Sequence, residues 1–400
     1  MALLPVEEAL SRLLSDAAPL EAETVAIGDA AERVLAAPLR ALRTQPPFPA
    51  SAMDGYAVRA ADLTVGAPLA VIGEAPAGAP FDGNIGKGQA LRIFTGAAVP
   101  DGADTILIQE NARRVDAVTV EVLETVAAGR HIRRAGLDFA EGEPLLEAGR
   151  ALDPAALSLA AAANHASVSV VRPPLVAILA TGDELLPPGS TPGPGQIIAS
   201  NSYGVAAIVR AAGAAVIDLG IVRDDRREMA ARVRAALDAR PDVLVTLGGA
   251  SVGDHDLVHE VLTAEGMSLD FWKIAMRPGK PLMFGRLGAT RVIGLPGNPV
   301  SSLVCSHLFV KPLVARLAGH SAEPDIVAAV LAGEMAANDS RQDYVRAAIT
   351  RDGDRLVARP FATQDSSMLK VLAEANGLII RAPHAPAAPA GTHVPVLMLR

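Results

Sequence analysis

Between residues 171 and 320 the chain alternates continuous apolar runs with amphipathic stretches, and this limits the available folds more than any other feature. The apolar runs lie at 175–180, 214–222, 243–247 and 291–295. Continuous runs of this length, bounded by glycine and proline, read as strands covered on both faces of a parallel sheet. Helical spacing at about 202–212, 226–239, 255–265 and 299–318 separates them. Strands and helices in this order predict a doubly wound parallel sheet.

Other patterns flank this core. Residues 5–15 and 29–37 have the spacing of amphipathic helices, and an extended stretch, Thr44-Gln45-Pro46-Pro47-Phe48-Pro49, follows. Short β-like runs at 56–58, 69–72, 89–93, 105–109 and 118–123 are separated by Gly, Pro and Asp turns, which predicts a small all-β module. Residues 150–165 return to helix. After residue 324, runs at 326–331, 344–350, 356–359, 377–381 and 393–399 read as a small β-barrel or sandwich, with turns at Asp352-Gly353 and Asn376-Gly377. The expected fold class is α/β multidomain. Residues 1–45 with 140–170 form a discontinuous helical, dimerisation domain, 46–139 an inserted β-rich domain, 171–322 the doubly wound domain and 323–400 a C-terminal β domain.

Composition narrows the function. A net charge of -8 argues against a dedicated nucleic-acid binder, and 3% aromatic content argues against a base-stacking platform. The single cysteine, Cys305, excludes an intramolecular disulfide framework and fits a reducing, cytoplasmic setting. The N-terminus lacks a basic region followed by an apolar core, so no signal peptide is expected. No apolar run reads as membrane-spanning. The best candidate, 155–171, is mostly alanine, is interrupted by Asn164 and His165, and reads as a buried or dimer-facing helix.

In an open parallel sheet, ligands bind beyond the carboxyl ends of the strands. Here those ends carry Thr181-Gly182-Asp183-Glu184-Leu185, Arg223-Asp224-Asp225, Gly248-Gly249-Ala250-Ser251-Val252-Gly253-Asp254-His255-Asp256 and Pro296-Gly297-Asn298-Pro299. Glycines such as Gly248, Gly249 and Gly253 let backbone N–H groups approach an anion, beside the positive end of the next helix. The loop is neither a Walker A loop nor a dinucleotide fingerprint, and a tight strand-to-helix turn also accounts for it. Capping alone would explain Asn298 and Pro299, and the same geometry exposes donors to a phosphate. Of five lysines, two lie in the loop Lys273-Ile274-Ala275-Met276-Arg277-Pro278-Gly279-Lys280-Pro281. A proline-stiffened loop carrying Lys273, Arg277 and Lys280 suits an oxyanion. Glu184, Asp224, Asp225 and Asp256 lie on the same edge, and carboxylates beside phosphates point to Mg²⁺. Asp224, Asp225 and Asp254 equally suit helix N-caps. No Cys/His cluster or G-x-S-x-G elbow is present, and His255 and His259 read as structural.

Two further strings, Ser51-Ala52-Met53-Asp54-Gly55-Tyr56-Ala57 and Phe94-Thr95-Gly96-Ala97 with Pro100-Asp101-Gly102-Ala103-Asp104-Thr105, are explained as chemistry mostly by turns. Together with Gly136-Leu137-Asp138 and the strand-end loops, they resemble the molybdopterin molybdenumtransferase (MoeA) family, which includes the E domain of gephyrin. The resemblance implies an elongated four-domain homodimer with a MogA-like doubly wound domain. It implies Mg²⁺-dependent ligation of molybdate to adenylylated molybdopterin with release of AMP. By that resemblance Asp54, Thr95 and Asp138 are functional positions completing the partner's site, and Glu184, Asp224 and Asp256 are the acidic, metal-holding set. Lys273 joins them in catalysis. Gly248, Gly249, Ser251, Gly253, Arg277, Pro278, Lys280, Pro296, Asn298 and Pro299 bind substrate, while Arg346 and Ser366 match positions linked to molybdate. The choice between Asp224 and Asp225 stays open. Expected partners include the molybdopterin adenylyltransferase and molybdoenzyme maturation proteins. Three alternatives remain: an adenylyltransferase, which needs only residues 171–320, a non-catalytic gephyrin-like scaffold, and a molybdate store or carrier.

Overall fold

The computed structural model describes residues 3–249 and 257–399. The chain divides into two compact units, residues 24–31 with 35–169, and residues 1–23, 32–34 and 170–400.

The first unit is built on a six-stranded sheet ordered Thr105–Ile108, Gly55–Val58, Gln89–Ile93, Pro68–Ala75, Thr119–Val122 and Ala112–Arg114. Period-two alternation covers both faces. Tyr56, Val58, Leu69, Leu107, Val120 and Val122 pack on one side, and Ala57, Leu91, Ile93 and Ile106 on the other. Gly55 opens its strand because a Cβ there would meet the Leu107 carbonyl oxygen at 2.2 Å. The helix Pro154–Ala162 starts with Asp153 accepting from the Ala156 N–H (2.8 Å) and Pro154 in the first turn.

Two helix expectations fail here. Residues 29–37 are not helical beyond the short 3₁₀ turn Ile27–Asp29. Their backbone is taken by neighbouring chain instead: the Leu35 N–H donates to the Arg150 carbonyl and the Ala36 N–H to the Ser169 carbonyl. The helix expected over 155–171 stops at Ala162. Asn164 follows at φ 76°, and the β-branched run Ser167–Val171 is a strand.

The second unit holds the doubly wound sheet, ordered Ala215–Val222, Leu175–Thr181, Val243–Leu247, Thr290–Leu295, Met283–Leu287 and Ser268–Trp272. The first four strands are parallel. The last two extend the sheet in antiparallel sense and went unread in the sequence. Ala215–Val222 is an edge strand with only Val222 buried, not the buried strand expected. The helices Val6–Leu14, Asn201–Ala211 and Pro299–Leu317 contribute to the core on one face. Arg226–Asp238 and Leu257–Ala264 contribute to the core on the other.

Pro299–Leu317 is long and apolar enough to cross a membrane by length and composition, which the sequence reading overlooked. It is a core helix, with 72% of the apolar window buried. Its middle, Ser306–Val310, widens into a π-helical turn just before Pro312, whose ring removes a donor from the ladder.

Strands Gln342–Asp352, Arg355–Pro360, Ile326–Leu331, His393–Met398 and Gly377–Arg381 pair in that order. The first also pairs with the last, closing a five-stranded barrel. Met276–Arg277 joins the barrel edge in parallel with Gln342 and Asp343. The cationic loop is thus anchored to the C-terminal barrel.

Candidate functional site

The parallel strands end at a cleft of about 910 Å³. It is lined by Thr181 and Gly182, Glu184, Asp224, Gly248 and Gly249, Pro281, residues 296–299, Asn201 and Ser367. Gly248 and Gly249 are both left-handed, at φ 93° and 65°. A Cβ on Gly248 would sit 2.6 Å from the Thr181 carbonyl oxygen, and one on Gly249 2.1 Å from a Val258 methyl. Glycine is therefore required twice in succession, and bare backbone faces the cleft.

The structure separates Asp224 from Asp225. Asp225 caps Arg226–Asp238, accepting from the Glu228 N–H at 2.8 Å. Asp224 lines the cleft, its N–H donating to Asp183 Oδ1 at 3.2 Å. Partial burial, then the charges of Asp183 and Glu184, raise the Asp224 pKa above the ordinary carboxylate value. Asp224 therefore sits at a corner where two further carboxylates act on it.

Asn298 occupies the N-cap position of Pro299–Cys305, yet its side chain makes no capping bond. It donates instead to the Ser366 hydroxyl at 2.8 Å, and the Val300 N–H donates to the Ser366 carbonyl at 3.1 Å. Capping therefore does not account for Asn298. Asn201 Nδ2 donates to the Gly297 carbonyl at 2.8 Å and fixes the loop from the opposite wall. From Ser366 the connections run into the barrel. Arg346 is 1% exposed; its Nη1 donates to the Asp365 carbonyl at 2.8 Å and its Nε to Gln364 Oε1 at 3.1 Å.

The cationic loop divides. Lys273 is held at φ 83°, uncommon for a residue with a side chain, and its ammonium lies 5.6 Å from the Trp272 ring centre. Trp272 also stacks on His259 at 4.8 Å. Among the described residues neither Lys273 nor Lys280 has an ion pair. Arg277 is committed elsewhere. Its guanidinium donates to Asp343 at 2.6 and 3.2 Å, to Asp339 at 3.2 Å and to Asn338 at 3.3 Å. The structure makes it a tether of the loop to the barrel; none of Lys273, Arg277, Pro278, Lys280, Arg346 and Ser366 is among the residues that line the cleft.

In the other unit, Thr95 donates to Asp54 Oδ1 twice, from its N–H and its hydroxyl, each at 2.8 Å. The Thr95 backbone bond, then its hydroxyl, lowers the Asp54 pKa and keeps the carboxylate ionised. Asp138 is exposed, its N–H donating to the Gln45 carbonyl at 3.0 Å. Ser251, Gly253 and Asp256 lie outside the described residues. Sequence reasoning missed Thr181, Asn201, Gln364 and Ser367. For Asn201 the signal was its place opening a helix shortly after the run Ile197–Ile198, which pairs with Leu185–Leu186 beyond the strand end that carries Glu184.

Three family models match the chain: MoeA N-terminal region (domain I and II) over residues 4–164, probable molybdopterin binding domain over 177–316, and MoeA C-terminal region (domain IV) over 328–399. The molybdopterin molybdenumtransferase of Haemophilus influenzae is 38% identical over 318 residues, covering 79% of this chain and 78% of that protein. The enzyme of the same name from Bacillus subtilis is 34% identical over 410 residues, covering 99% and 94%. A crystal structure of the molybdopterin biosynthesis MoeA protein from Pyrococcus horikoshii superposes with a TM-score of 0.84 at 29% identity, covering 100% of both chains.

Proposed function

As a member of the molybdopterin molybdenumtransferase (MoeA) family, the chain is an enzyme that inserts molybdenum into molybdopterin, and we propose that its substrates are molybdate and adenylylated molybdopterin, with Mg²⁺ required and AMP released. The observation that carries this reading is the strand-end cleft. It joins glycine backbone for a phosphoanhydride and a carboxylate corner for a hard cation, and its Asn298 donates to Ser366, the residue after the Asp365 whose carbonyl accepts from the buried Arg346.

The carboxylate corner fits Mg²⁺. Among the described residues no complete cage of three or more ligands converges, but Mg²⁺ retains water and takes one or two carboxylates beside substrate phosphates. Asp224, facing the charges of Asp183 and Glu184, is the carboxylate that a bound cation would relieve. Glu184 and Asp224, with Asp256, would hold it, and it would supply charge neutralisation at the phosphoanhydride.

The chain's own residues position and stabilise. Gly249 offers its N–H to a phosphate oxygen, the Gly248 N–H being taken by the Leu295 carbonyl at 3.2 Å, and we assign Ser251 and Gly253, next in the sequence, to the same phosphate. Lys273 and Lys280 bring cations to the charge that develops as AMP departs. Asn298 orients Ser366, and Ser366 and Arg346 take the molybdate oxygens. Pro296, Pro299 and Pro278 shape the loops. Thr95 keeps Asp54 ionised, and this pair, with Asp138, serves the site of the second subunit in a cytoplasmic homodimer. We assign the four domains to residues 1–45 with 140–170, 46–139, 171–322 and 323–400.

Purified chain given adenylylated molybdopterin and Mg²⁺ should release AMP only when molybdate is added. A folded dimer that releases none would overturn the reading. Asp224→Asn is expected to raise the Mg²⁺ concentration for half-maximal AMP release by about tenfold or more, the loss of a charge-assisted contact. Asp225→Asn should leave that concentration unchanged, since an asparagine caps equally well. Equal effects from both would remove the distinction drawn between them.

A further inference from the structure

Among the described residues Arg346 is the largest wholly buried side chain, and it lacks a counter-ion. No carboxylate of the described residues lies within ion-pair distance of its guanidinium. The neighbouring carboxylate, Asp365, is turned away, accepting from the Ser367 N–H at 2.8 Å and its hydroxyl at 2.6 Å. Arg346 Nη2 is buried without a hydrogen-bond partner. A buried, unpaired cation with a bare donor is costly unless an anion completes it.

What holds the guanidinium in this state is Gln364. Its Oε1 accepts from the Arg346 N–H at 3.0 Å and from Arg346 Nε at 3.1 Å. Its Nε2 donates to the Arg346 carbonyl at 3.0 Å and the Phe361 carbonyl at 2.8 Å. Three of these four bonds wrap one residue, gripping its backbone on both sides and its side chain by the Nε edge. An amide can accept and donate in this way without carrying charge, whereas a carboxylate cannot donate and would neutralise the arginine.

We infer that Gln364 is the positioning residue of the oxyanion subsite, a neutral clamp that aims Arg346 Nη2 at the incoming anion and leaves the full positive charge available to it. The inference rests on the reading of Arg346 as a molybdate ligand. It makes molybdate affinity, rather than the rate of the chemical step, the quantity that residue 364 controls.

Gln364→Glu supplies the missing counter-ion in nearly the same volume, and Gln364→Met removes the clamp without charge. The full-length chain is assayed for AMP release over a molybdate titration, with Arg346→Met as the reference variant. Gln364→Glu should raise the molybdate KM about tenfold or more, the scale of one lost charge-assisted bond. The kcat at saturating molybdate and the KM for adenylylated molybdopterin should hold near the unsubstituted values. Gln364→Met should raise the molybdate KM in the same direction, and carries the test alone should the glutamate variant not fold. If Arg346→Met leaves the molybdate KM unchanged, the reading of Arg346 itself fails. If Arg346→Met raises it while neither Gln364 variant does, or if those variants lower kcat alone, Gln364 is not a positioning residue.

Discussion

Arg346→Met is expected to make the chain more stable and to weaken its binding of molybdate. The guanidinium is 1% exposed, has no carboxylate partner among the described residues and carries one bare donor. Burial lowers its pKa, the direction expected when desolvation outweighs the attraction of Asp365 and Asp343. Replacing an uncompensated buried charge by an unbranched apolar side chain of similar length removes that penalty, by about 1 kcal/mol or more. The offset is one orphan, the Asp365 carbonyl that Nη1 now serves, while Gln364 retains the Arg346 backbone. Molybdate loses its cation, a loss of about 1.5–3 kcal/mol and thus of roughly tenfold to a hundredfold in affinity. Urea unfolding at equilibrium measures the first effect and a molybdate titration of AMP release the second. Lower stability in the variant would mean that Arg346 is compensated in the resting protein, and the case for a reserved anion site would go with it.

Residues that act through local pattern were readable in advance, and residues that act through distant partners were not. Val243–Leu247 and Gln89–Ile93 match the predicted strands to the residue, because burial on one or both faces writes a period into the chain. The same cue failed at 215–222. An apolar run does not distinguish a central strand from an edge strand, since the difference lies in what packs on it. It failed at 29–37 because helical spacing there is overridden by pairing with Arg150 and Ser169, more than a hundred residues away. The site divides in the same way. Gly248 and Gly249 were legible because tight turns and bare backbone demand glycine. The commitment of Arg277 to Asp343, 66 positions away, was not. Nor was Asn298, whose residue type suits a cap and whose side chain serves Ser366 instead, 68 positions on. Which of Asp224 and Asp225 caps a helix and which lines the cleft shows only once the chain is folded.

Gly249→Ala should combine a loss of stability with a loss of ligand binding, and a second substitution should separate the two causes. Alanine at φ 65° incurs the left-handed penalty, about 1 kcal/mol. Its Cβ also falls 2.1 Å from a methyl of Val258, which is 2% exposed and packed in the core beside Met229 and Val261. Something must move, and overpacking of a filled core costs about 1–3 kcal/mol. The movement displaces the backbone N–H of Gly249, so binding of the phosphate-bearing substrate should fall by about tenfold or more. Val258→Ala deletes the methyl that the new Cβ meets. In the Gly249→Ala/Val258→Ala chain the nearest contact left is the residue 258 Cβ at 3.0 Å, so most of the steric cost should go while the backbone part remains, giving a favourable coupling of about 1 kcal/mol or more. Urea unfolding of the four chains measures that coupling. Additive losses would mean that the loop relaxes away from Val258, and that backbone conformation alone makes glycine necessary here. Recovery of substrate affinity in the double variant would show that the backbone N–H, not the missing side chain, is what the ligand reads.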